Sequence, residues 1–185
     1  MNEQTVWRKG IGWLVILSLW QAAAASGMFG EVHAQDTAPS LCRADEQIFF
    51  ACSVARSKKN ISLCGSKSLD HRRDYLQYRY GIPGDIELQF PQVRANTQLV
   101  FRYAGYSRAQ VHRTEISFDN QGYRYTIFDY YEGDAKPVIV TAGVRVAKYG
   151  ARTPETELLC LDNPVRKLGR LETVIPRDPD NALNQ

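Results

Sequence analysis

An all-β protein, built as an antiparallel sandwich or barrel-like domain with two disulfides and little helix, is the fold class that the sequence predicts. Three observations lead there. Short runs rich in β-branched and aromatic residues alternate with turn residues at hairpin spacing. No window of twelve residues carries a 3.6-residue apolar period, so any helix is short. Four cysteines, Cys42, Cys52, Cys64 and Cys160, follow a segment that reads as an export signal, an even number for a compartment that permits disulfides. The 185 residues, 44% apolar and 23% charged, amount to one ordinary domain. Collagenous, highly disordered and multi-span membrane proteins are excluded by that composition. A formal charge of +3 is too small to call for nucleic acid as a partner.

The chain opens with Arg8 and Lys9, then an apolar run from Ile11 to Trp20, then Ala22 to Ala25. The run is too short to span a bilayer. A basic start, a core of about ten apolar residues and a small-residue exit together describe a cleaved secretory signal. Cleavage after Ala34 makes residues 1–34 the signal peptide, and cleavage after Ala25 is the competing choice. Cys42 follows Leu41 and lies far beyond the apolar core, so no lipid anchor is expected and no stable membrane anchor remains after cleavage. The setting implied is periplasmic or secreted.

Residues 35–175 then form a single β domain. After a polar lead-in, strands are expected at 47–54, 61–64, 75–80, 86–90, 98–103, 110–119, 122–131, 138–141, 144–148 and 158–161. Leu76, Tyr78 and Tyr80 alternate on one side, as do Ile86, Leu88 and Phe90, with Gly81-Ile82-Pro83-Gly84 as the connection. Thr114, Ile116 and Phe118 alternate with polar neighbours up to Asp119-Asn120-Gln121-Gly122, a turn sequence that leads into the next strand. The segment 176–185 is polar and proline-rich and reads as a disordered tail.

Two bridges are expected among three possible connectivities. Cys52–Cys64 with Cys42–Cys160 is preferred, because the first closes a hairpin and the second ties the domain ends together. Against it, setting Cys52 opposite Cys64 places Val54 opposite Ser62, whereas matched apolar faces set Val54 against Ile61. The spacing offers no CxxC, so neither a metal site nor a cofactor is expected.

Phe49-Phe50-Ala51-Cys52, Lys58-Lys59-Asn60-Ile61-Ser62-Leu63-Cys64, Tyr75-Leu76-Gln77-Tyr78-Arg79-Tyr80-Gly81 and Glu87-Leu88-Gln89-Phe90-Pro91 resemble an uncharacterised family of exported bacterial proteins. The resemblance covers about residues 42–91 and is weaker from 118 to 160. It implies a bacterial, periplasmic setting and carries no activity.

Candidate functional residues follow from charge and chemistry. Arg56, Lys58, Lys59, Lys67, Arg72 and Arg73 place six positive charges within eighteen residues. Folded onto one edge they form a cationic patch suited to an anionic envelope component or an acidic protein, although a solvated hairpin tip has the same composition. Tyr130 and Tyr131, with Tyr106, stand near turns and could line a binding surface. Ser66 or Ser68 with Asp70 and His71 lacks the geometry of a catalytic triad and no nucleophile elbow is present. His112 shares the alternating face of Thr114 and Ile116, as a structural histidine would. Among Glu115, Asp119, Asp129, Glu132 and Asp134 a glycosidase-like pair is conceivable. The reading is therefore a non-enzymatic protein that binds a cell-envelope component or protein, with no catalytic residue assigned. The alternative is an envelope hydrolase using paired carboxylates.

Overall fold

A computed structural model describes residues 39–69, 74–94, 97–151, 153–161 and 163–184. The proposed signal at 1–34 lies outside them. Ten strands form two five-stranded antiparallel sheets packed as a sandwich. The first sheet holds β1 (Gln47–Ser53), β2 (Asn60–Gly65), β3 (Leu76–Ile82) and β4 (Asp85–Phe90) in sequence order, with β10 (Val165–Arg166) added beside β1. The second is an uninterrupted meander of β5 (Arg102–Arg108), β6 (Val111–Asn120), β7 (Tyr123–Glu132), β8 (Ile139–Lys148) and β9 (Thr156–Leu159). Only 3₁₀ turns supplement the strands among the described residues, and no helix there is long and apolar enough to cross a membrane.

Alternation drives the packing. Phe50, Cys52, Val54, Ile61, Leu63, Leu76 and Tyr78 meet Phe101, Tyr103, Ile116, Phe118, Ile127 and Val144 between the sheets. Phe118 is the hub: it stacks on Phe90 at 4.6 Å and on Tyr125 at 5.0 Å, with Tyr78 and Phe101 against its other sides. The β6–β7 turn places Gln121 and Gly122 both at positive φ, the two-residue hairpin geometry that matches strand twist.

The disulfides are Cys42–Cys64 and Cys52–Cys160, which corrects the preferred pairing. The reason is parity. Cys52 shares the interior face with Phe50 and Val54, whereas Cys64 follows Leu63 and faces outward, so the two sulfurs lie on opposite sides of one sheet. A bulge between Ile48 and Phe50 shifts the register further and sets Cys52 opposite Ile61. Cys64 meets Cys42 of the lead-in instead, and Cys52 meets Cys160 where the chain leaves β9.

Three other expectations change. The runs at 138–141 and 144–148 are one strand, β8, and the run at 98–103 is a 3₁₀ turn (Thr97–Val100) leading into β5. The tail is also ordered. Tyr103 donates its amide to Pro176, Asp178 donates to the Tyr103 carbonyl, and the chain then crosses the outer face of the second sheet. There Ser117 donates to Asp178 and Asn181 to Glu115. Polar side chains, not apolar ones, anchor this segment, so its composition gave no sign of order.

Candidate binding cleft at the sandwich corner

The cationic candidates that the structure describes differ in setting. Arg56 and Lys58 are exposed on the β1–β2 turn, Arg56 at positive φ, but Lys59 is engaged by Glu87 at 2.7 Å and lies over the Tyr80 ring. Arg72 and Arg73, with His71 and Asp70, lie outside the described residues. Tyr130 and Tyr131, adjacent on β7, point to opposite faces of the sheet. Tyr130 is half-buried on the outer face, where it donates to Glu115 and receives an Arg145 N–H at 3.1 Å. Burial first, then the Glu115 carboxylate, pushes its hydroxyl up to about 12. It therefore stays protonated and donates to Glu115 within this network.

The candidate carboxylates each meet an arginine. Glu115 faces Arg145, Asp119 faces Arg124, Asp129 faces Arg166, Glu132 faces Arg113 and Asp134 faces Arg108. Glu115 and Asp129 sit on opposite faces of the same sheet, since their positions in β6 and β7 differ in parity across the register. Each of these acids thus answers a guanidinium. His112 is exposed near the start of β6, between β5 and β7, and shares a 2.9 Å hydrogen bond with Ser107.

A different place gathers the features of a contact site. β8 has ten residues, but β9 pairs only with residues 143–146. Cys160 still donates to Ala142 of β8 while the same stretch joins the other sheet: Ala55 donates to Leu159, Leu161 donates to Ser53, and Cys160 pairs with Val54. β10 then continues alongside Phe50 and Ala51. An open cleft of about 660 Å³ lies at this crossing, lined by Val140, Ala142, Cys160, Leu161, Asn163, Pro164 and Arg166. Cys52–Cys160 fixes its inner end.

The rim is apolar and open. Val140 and Leu161, which line the cleft, are 49% and 50% exposed, and Val138, just before β8, is 51% exposed, apolar side chains that water leaves unfavourably solvated. Asp129 sits behind this rim with 13% of its side chain accessible and accepts from Arg166 Nε at 2.5 Å. Burial raises the Asp129 carboxyl above its ordinary value, and the Arg166 charge and hydrogen bond oppose that rise without cancelling it. Among the described residues Arg166 hydrogen-bonds through Nε alone, and the residue lines the cleft. Sequence reasoning missed this site because Val138–Val140 resembles any half-buried strand. Comparison of the chain with protein-family models, with curated proteins and with solved structures gives no match.

Proposed function

We propose that this chain is an exported bacterial protein of the periplasm or the medium that binds another protein of the cell envelope at the corner cleft and performs no catalysis. Val140 and Leu161, half-exposed in the lining of the cleft, carry the reading, because apolar side chains left open beside a cleft suit a dry contact with a second protein surface. Two disulfides and an N-terminal segment with the pattern of a secretory signal support the export part of it.

Site-specific photocrosslinking in cells tests the contact. A photoreactive residue at Val140 or Leu161 is expected to give a discrete protein adduct, whereas one at Tyr106, on the far edge of the second sheet, gives none. Equal labelling from all three positions, or none from the cleft, removes the assignment.

A second reading rests on Arg56 and Lys58, which are exposed and have no carboxylate in ion-pair range among the described residues. In that reading the β1–β2 turn meets anionic envelope material. Charge reversal at both should then reduce co-sedimentation with anionic vesicles in a salt-dependent way, and unchanged retention leaves the turn as solvated surface.

A further inference from the structure

A second cleft, of about 420 Å³, opens between the two sheets and shares no lining residue with the one at the corner. Tyr78, Tyr80 and Leu88 line it from the first sheet, and Tyr125, Val146 and Leu158 from the second. All of these except Tyr78 pack against the core while staying only partly buried, so apolar surface left half-covered by both layers gathers at one opening. Tyr78 differs. It is 1% exposed, and no hydrogen bond reaches its hydroxyl among the described residues. Of the described buried side-chain atoms, only an Arg94 nitrogen is both sealed from solvent and without a partner. The Tyr78 hydroxyl therefore keeps an opening, and the cleft is what Tyr78 lines. Burial first, then the Tyr80 and Tyr125 hydroxyls, raise it above the ordinary phenol value, so it holds its proton. A buried donor without a partner is costly, and a water or a ligand answers it where the protein does not.

We propose that this second cleft binds one small neutral ring compound bearing an oxygen acceptor, a ketone or a phenol, with the oxygen on the Tyr78 hydroxyl and the ring against Tyr80 and Tyr125. The site is separate from the protein contact proposed above and does not depend on it. Charge selects a neutral occupant. Glu87, the one ionised side chain in the described lining, is held by Lys59 at 2.7 Å, and the Lys59 ammonium lies over the Tyr80 ring. An anion would meet the carboxylate, and a cation would have to displace Lys59. Shape selects a ring, because two aromatic side chains from opposite sheets reward a flat apolar body. The volume falls within the roughly 300–1,000 Å³ of small-molecule sites. Leu88, Val146 and Leu158 contribute through the apolar area that the ligand removes from water. The hydroxyl supplies discrimination, since a molecule of the same shape without the oxygen leaves the donor unanswered.

The test follows amide NMR spectra of the full mature chain during titration with acetophenone and with α-methylstyrene, its planar isostere without the oxygen. Acetophenone is expected to shift the amides of Leu88, Tyr125 and Val146 saturably and to bind about tenfold more tightly than α-methylstyrene. Tyr78→Phe keeps the ring and removes the hydroxyl. It is expected to bring the two affinities together without lowering the thermal midpoint, because the hydroxyl has no partner in the described protein to lose. Thr156→Trp, at an exposed lining position on the outermost strand of the second sheet, is expected to fill the cleft and weaken binding by about tenfold or more. The amide spectra show whether each variant is folded. No saturable shift with either compound assigns the cleft to water alone and overturns the site. Acetophenone binding that a folded Thr156→Trp leaves intact overturns it as well. Equal affinity of the wild type for the two compounds, or a lowered thermal midpoint of Tyr78→Phe, overturns the part given to the hydroxyl and with it the proposal. Tighter binding of benzoate or benzylammonium than of acetophenone overturns the neutral class.

Discussion

Glu46 and Arg79 form a buried ion pair on the outward side of the first sheet, with side chains 0% and 3% exposed and nitrogen-to-oxygen distances of 2.6 and 2.7 Å. Glu46 also accepts from the Arg43 amide and the Tyr75 hydroxyl, and Arg79 donates to the Leu41 carbonyl and to Gln77. The pair thus clamps the lead-in onto β3. Burial disfavours the carboxylate, but the hydrogen bonds from Arg79, Arg43 and Tyr75 and the Arg79 charge together outweigh it and hold Glu46 below its ordinary value of 4.5. A depressed acid binds its proton less readily in the folded chain than in the unfolded one. Its contribution is therefore complete above pH 4.5 and is lost as the pH falls through the folded value. Glu46→Gln leaves Arg79 charged and buried without its counter-ion, so denaturant unfolding at neutral pH should show a loss of about 3 kcal/mol. The gap between wild type and variant should narrow below pH 4.5, and a gap that is constant into acid would show that the pair does not set acid stability. None of this was visible in the sequence, where Glu46 and Arg79 stand 33 positions apart with nothing local to link them.

At the level of single elements, the hairpins were legible because each depends on neighbours in the chain. Tyr78 and Leu88 declare their faces by alternation, and Gln121-Gly122 declares its turn by the backbone conformation it must adopt. β8 was misread as two strands because Gly143 looks like an interruption. A β-carbon at Gly143 would stand 2.2 Å from the Leu158 carbonyl oxygen, so glycine is there to let β9 approach, not to end the strand. The segment after Pro176 was misread for a different reason: its order comes from Asp178, Asn181 and Asn184 reaching partners on β5 and β6 more than sixty residues away. Removing residues 177–185 should cost roughly 1–3 kcal/mol, since Glu115 and the edge of β5 lose partners in a mostly buried setting. Hydrogen exchange at the Tyr103 amide, which donates to Pro176, should accelerate in the truncated chain. Unchanged stability and exchange would mean that the strap is ornamental.

For the molecule as a whole, the two bridges differ in what they constrain. Cys42–Cys64 closes a separation of 22 residues and Cys52–Cys160 one of 108. Loop-closure entropy assigns about 3 kcal/mol to the first and about 5 kcal/mol to the second. Replacing Cys52 and Cys160 by alanine should thus lower the thermal midpoint more than replacing Cys42 and Cys64, and the reverse order would contradict the pairing energetics. The corner cleft belongs to this scale too, because the exposure of Val138–Val140 arises only where the chain between Leu159 and Val165 leaves one sheet for the other. That crossing has a further consequence. Residues 47–90 build four strands of one sheet and residues 102–159 build the whole of the other, so each layer comes from its own stretch of chain. Val93, in the connection between the layers, is 69% exposed. A protease that cuts after Arg94 would give two fragments which migrate as one species on a non-reducing gel and separate once Cys52–Cys160 is reduced. The nicked protein would keep its β circular dichroism, because β10 and the turn that follows it still seat Leu168 and Leu171 between the layers. The C-terminal third thus acts as a covalent handle by which one layer grips the other, and the domain can survive as a two-chain molecule.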